Sequence, residues 1–126
     1  MENKPEIFIS LTDLAEIENQ LESKKLPIEI ANALEDEIVR ATILPNKEMP
    51  NDVVALGSKA VFKVIETNRS FTKTLCLPKD INKYEDGISI FAPIGSAIIG
   101  LSTGQKIQWK VQGVMQTVEV IEVKTN

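Results

Sequence analysis

The amino-acid sequence predicts an α+β fold, with a short antiparallel helical hairpin over residues 1–47 and a mainly antiparallel sheet containing one short helix over residues 48–126. Three observations carry this reading. Apolar residues recur at helical spacing as far as Ala41, and from Val53 onward they alternate with polar ones. Between the two regimes lies Leu44-Pro45-Asn46-Lys47-Glu48-Met49-Pro50-Asn51-Asp52, a run dense in turn formers.

The first helix is expected over residues 11–23. Ser10 precedes Leu11, Leu14, Ile17 and Leu21 on one stripe, and Asp13 suits the amino-terminal turn. Lys24-Lys25-Leu26-Pro27 interrupts it, because the residue before a proline disfavours helix while proline itself suits a first helical turn. A second helix follows, with Ile30, Leu34, Ile38 and Ala41 as its apolar stripe. Strands are expected at Val53–Leu56 and Lys59–Glu66, the latter with Ala60, Phe62 and Val64 on one face. Thr67-Asn68-Arg69 is a turn, Phe71–Leu77 the returning strand and residues 78–87 a polar loop. A short strand at Ile88–Phe91 leads to a helix at Pro93–Ile99 closed by Gly100. Lys106–Val111 and Val114–Lys124 form a hairpin about Gln112-Gly113, with Ile107 and Trp109 on its dry face.

Composition excludes much chemistry. The 126 residues are 43% hydrophobic and 25% charged, an ordinary globular balance, with no apolar run long enough to span a bilayer. The first residues lack the basic flank and apolar stretch of a secretion signal, so a cytoplasmic protein is expected. There is no histidine, which removes the usual general base and the commonest metal ligand, and with it every triad that needs imidazole. The single cysteine, Cys76, reads as a packed thiol between two leucines. Residues 1–41 carry four basic and ten acidic side chains, whereas residues 42–126 carry ten and eight. With basic residues scattered and aromatics at 5%, no nucleic-acid-binding stripe emerges. Binding to a protein, as a monomer without cofactor or metal, is the default reading.

Three constellations imitate functional sites. Gly100-Leu101-Ser102-Thr103-Gly104-Gln105-Lys106 has glycines and a lysine at the wrong spacing for a phosphate loop, and a strand follows where a helix should. Glu35-Asp36-Glu37 point about 100° apart on a helix and cannot converge on one ion. Glu18 and Glu22 share a face, which reads as solvated surface. Phe91-Ala92-Pro93-Ile94-Gly95 is the distinctive stretch: a strand-to-helix corner that exposes small and apolar atoms.

The run Ile88–Gly100 resembles the corresponding segment in the carboxy-terminal domain of the Gre transcript-cleavage factors. From about Ile7 to Val123 the chain more closely resembles the Rnk proteins, named as regulators of nucleoside diphosphate kinase. The matching words are Leu26-Pro27-Ile28 with Ala33-Leu34 and Glu37, then Glu48-Met49-Pro50-Asn51-Asp52-Val53-Val54, then Ala92-Pro93-Ile94-Gly95 with Gly100-Leu101.

The resemblance implies a sheet domain like that of FK506-binding proteins (FKBP-like), docking on RNA polymerase near its secondary channel, behind a shortened Gre coiled coil. Polymerase contact is carried over to Phe91, Ala92, Pro93, Ile94 and Gly95. Transcript cleavage is not, because Ala92 stands where Gre factors have serine and the hairpin tip, with Glu22, Lys24, Lys25 and Glu29, is basic at its centre. Two alternatives remain open: an FKBP-like prolyl isomerase, and a regulator that binds a kinase directly.

Overall fold

In the computed structural model, residues 5–23, 26–111 and 113–124 are described. Strand β1 (Phe8–Ser10) runs straight into α1 (Leu11–Ser23), and α2 (Ile28–Arg40) runs into β2 (Thr42–Leu44). The Ser10 hydroxyl accepts the Asp13 N–H at 3.1 Å, the amino-terminal cap that the sequence suggests. Pro27 starts α2, its carbonyl accepting the N–H groups of Ile30 and Ala31. Helix α2 buries Leu34 and leaves Val39 almost fully exposed, while Leu21 of α1 and Ile38 of α2 line a shared groove.

Strands β1 and β2 pair in parallel, Ile9 opposite Ile43, an arrangement absent from the sequence reading. It is three residues long, and its partners lie 34 positions apart, so no local pattern announces it. Another expectation is corrected here. Val53–Leu56 is not a strand: Val53 makes one isolated bridge to Ser102, and the Val54 N–H donates to the Leu101 carbonyl at 2.8 Å. Both valines are nonetheless buried, so hydrophobicity placed them in the core without adding a ladder.

The main sheet has five strands in the order β5-β4-β3-β7-β6. These are β3 (Lys59–Val64), β4 (Arg69–Cys76), β5 (Gly87–Ser89), β6 (Lys106–Val111) and β7 (Val114–Lys124). All neighbours are antiparallel except β4 and β5. The loop between those two strands contains a 3-10 segment at Pro78–Lys83, which gives the chain room to return in parallel. Asn68, in the left-handed region at φ 56°, turns β3 into β4.

Ala60, Phe62 and Val64 face inward as their alternation requires. They join one continuous core that also holds Ile7, Ile9, Ile17, Leu34, Leu75 and Ile98. The helical and sheet segments therefore stabilise each other through shared burial, at roughly 25 cal/mol per Å² of apolar surface removed from water. Cys76 is buried with them, and burial pushes its thiol pKa up, away from reactivity.

Candidate functional site

Helix α3 (Pro93–Ile98) begins at the corner singled out in the sequence. The corner is tied from behind: the Ala92 N–H donates to the Ser89 carbonyl, and the Phe91 N–H to the Ser89 hydroxyl, both at 3.0 Å. The Ser96 N–H closes the first turn on the Ala92 carbonyl. Gly95 permits the tight approach of α3 to this strand end, since a Cβ there would sit 2.1 Å from the Ser89 carbonyl oxygen. At the far end Gly100, with φ 82°, accepts the Phe8 N–H and so fastens α3 to β1.

Within this frame the five corner residues divide. Pro93 is exposed and Ala92 and Ile94 are half-buried, whereas Phe91 and Gly95 are buried. Three residues thus offer surface, and the other two fix its shape. Proline's locked φ leaves little backbone freedom to lose on contact.

Two clefts meet at this corner, and both are lined by Pro93 and Trp109. The first, about 360 Å³, lies over the inner sheet face against Phe62, Phe71 and Ile94. Phe62 and Phe71, paired across β3 and β4, stack with centroids 5.6 Å apart. Lys73 supplies a cation at its margin. The second cleft, about 380 Å³, lies between α2, α3 and β6 and is bordered by Glu29, Asp36 and Lys110. The role of Trp109 in both clefts escaped the sequence reading, which placed it on a dry strand face. Alternation gave its orientation, but only the packing of α3 against β6 brings it to Pro93.

The two described tip residues border different clefts. Glu22 lines the groove between α1 and α2, while Glu29 lines the cleft beside β6. Lys24 and Lys25 lie outside the described residues. Among the described residues no three acidic or thiol side chains cluster as a metal site would require. Glu37, read from sequence as part of an acidic run, is buried and forms an ion pair with Arg40 at 2.6 Å. Arg40 also donates to the Pro5 carbonyl, tying α2 to the segment that enters β1.

The order of elements and the segment that holds the corner belong to a family of transcription factors. Residues 49–125 match the model of the transcription elongation factor GreA/GreB carboxy-terminal family. The Regulator of nucleoside diphosphate kinase of Escherichia coli K12 is 32% identical over 124 residues, 97% of this chain and 91% of that protein. GreA of Clostridium acetobutylicum is 25% identical over 124 residues, 96% of this chain and 78% of that one. Among solved structures, a GreA/GreB elongation factor from Nitrosomonas europaea superposes with a TM-score of 0.74 at 38% identity, covering 96% of this chain and 99% of the other. The chain belongs to the GreA/GreB carboxy-terminal family, and within it to the group of the regulators of nucleoside diphosphate kinase.

Proposed function

We propose that this protein is a cytoplasmic, non-catalytic transcription regulator that docks on RNA polymerase through the surface of Ala92, Pro93 and Ile94. The observation that carries the reading is the exposed, rigid Pro93 corner within the segment matched to the GreA/GreB family. Phe91 and Gly95 belong to the docking element as its internal supports. The apolar cleft over Phe62 and Phe71 adds a surface that a partner could desolvate.

Regulation then works by occupancy. The sheet domain, FKBP-like by resemblance, holds the rim of the secondary channel, and α1 and α2 act as a shortened hairpin. Each helix has 13 residues and so spans only about 20 Å. Glu22 and Glu29 open on separate grooves, which removes the paired carboxylates that cleavage through a second metal ion needs.

The test is a size-resolved binding assay with core RNA polymerase. The protein should co-migrate as one copy per polymerase, and excess GreA should displace it by mass action. Absence of co-migration, or simultaneous occupancy by both factors, contradicts the proposal. The inner cleft, with its three aromatic residues, also favours a second reading as a prolyl isomerase. Fold is a weak warrant for activity, and isomerisation of a proline test peptide should proceed at its uncatalysed rate. Among the described residues no surface feature singles out a kinase as the partner.

A further inference from the structure

The cleft between α2 and β6 has one wall that is an unpaired sheet edge. Strand β6 is last in the sheet, with β7 on its inner side. The Val120 N–H donates to the Gln105 carbonyl at 3.0 Å, and the register continues as Ile107 opposite Val118 and Trp109 opposite Gln116. Bonded pairs alternate in an antiparallel ladder, so residues 107 and 109 bond to β7. The backbone N–H and C=O groups of Lys106, Gln108 and Lys110 consequently point off the edge. Among the described residues no turn or loop hydrogen bond engages them.

Across the cleft, α2 presents Glu29 and Asp36, both exposed and neither in an ion pair among the described residues. The indole Nε1 of Trp109 is buried and has no hydrogen-bond partner among the described residues. A buried donor of this kind is costly until an acceptor reaches it, and an added strand can supply one only through a main-chain carbonyl. By strand alternation the exposed Lys106 and Lys110 stand on the other face of β6, with Lys110 also reaching the border of the cleft. They oppose pairing of two such edges, since like charges would face each other.

We propose that this cleft receives an extended segment of a partner protein, added to β6 as a sixth strand, with alternating basic and acidic side chains. Side chains of an added strand alternate between faces. Those on the α2 side meet Glu29, Asp36 and the face of Trp109, which selects arginine or lysine. Those on the outer side meet Lys106 and Lys110, which selects aspartate or glutamate. Main-chain hydrogen bonds to residues 106, 108 and 110 supply affinity, and the charge alternation supplies specificity. This inference does not rest on polymerase binding, and its test leaves Pro93 untouched.

Trp109 is the only tryptophan of the chain and reports on the cleft directly. The probe is a capped Arg-Glu-Arg-Glu-Arg peptide, compared with a capped Arg-Arg-Arg-Glu-Glu isomer of the same charge. The alternating peptide should change Trp109 emission saturably and bind at least about tenfold more tightly than the block isomer. Combined Glu29→Lys and Asp36→Lys should weaken binding by at least about tenfold. Gln108→Pro should do the same, because it deletes an outward N–H that proline can lack on an edge strand. In the wild-type protein, the amides of residues 106, 108 and 110 should gain hydrogen-exchange protection on binding, a readout independent of how the proline variant folds. No saturable change, equal binding of the two isomers, or no added protection at those amides would overturn the proposal.

Discussion

The Asp13 carboxylate accepts the Leu56 N–H at 3.0 Å, joining the first turn of α1 to the segment that enters β3, 43 residues further on. Burial raises the Asp13 pKa, with Leu56 and Ser10 pulling it down and Glu16 adding to the rise. Asp13→Ala should cost about 1 to 2 kcal/mol, because Leu56 loses its acceptor in a partly buried site. Asp13→Asn keeps an acceptor and removes the charge. Since the folded state holds the Asp13 proton more tightly, its contribution is greatest below the ordinary value of 3.8 and is lost as pH rises through the raised folded value. Urea titrations across that window should show Asp13→Asn gaining on the wild type as pH rises, then levelling. A difference that does not change with pH contradicts this account.

Gly95→Ala should destabilise the protein by at least about 2 kcal/mol. The new Cβ meets the Ser89 carbonyl, which is backbone and cannot swing aside. Denaturant unfolding measures the loss. A variant of unchanged stability would mean that α3 moves away from Ser89 freely, and the corner would then not be rigid.

The corner was legible in the sequence because it is local. Proline before a short apolar run and glycine after it mark the ends of α3, and the structure places them at Pro93 and just beyond Ile98. Helices α1 and α2 and the β6–β7 hairpin were legible for the same reason, each carrying its own period. What escaped depends on contacts between distant segments. The parallel pairings of β1 with β2 and of β4 with β5 leave no alternation that a window of sequence could detect. Val53 and Val54 look like strand residues because burial and strand formation select the same side chains. The meeting of Pro93 with Trp109 across two clefts is a property of tertiary packing alone.

Arg40→Met should cost about 2 kcal/mol, since it removes the cation bonded to a Glu37 side chain that is 8% exposed. It also breaks the tie to Pro5. Lys83→Met removes a similar pair with Asp80, but its side chain is 71% exposed and solvent screens the interaction, so stability should not change measurably. Thermal unfolding of the two variants side by side checks the contrast. Equal losses would refute it.

Backtracked elongation complexes incubated with the protein should release no short 3′ fragments above the intrinsic rate. The argument is geometric first, because helices of about 20 Å fall short of a deep channel. It is chemical second, because Glu22 and Glu29 face different grooves. Fragment release that Glu22→Ala with Glu29→Ala abolishes would make α1 and α2 catalytic and the proposed role wrong.

The central claim, docking through the exposed corner, is tested most directly by the affinity of Pro93→Asp for core RNA polymerase. The side chain is exposed, so the variant should fold, and circular dichroism can verify that it does. A charge buried in the contact should weaken binding by at least about 1 to 2 kcal/mol, which is roughly a tenfold rise in Kd. An unchanged Kd in the folded variant would contradict the assignment of this corner.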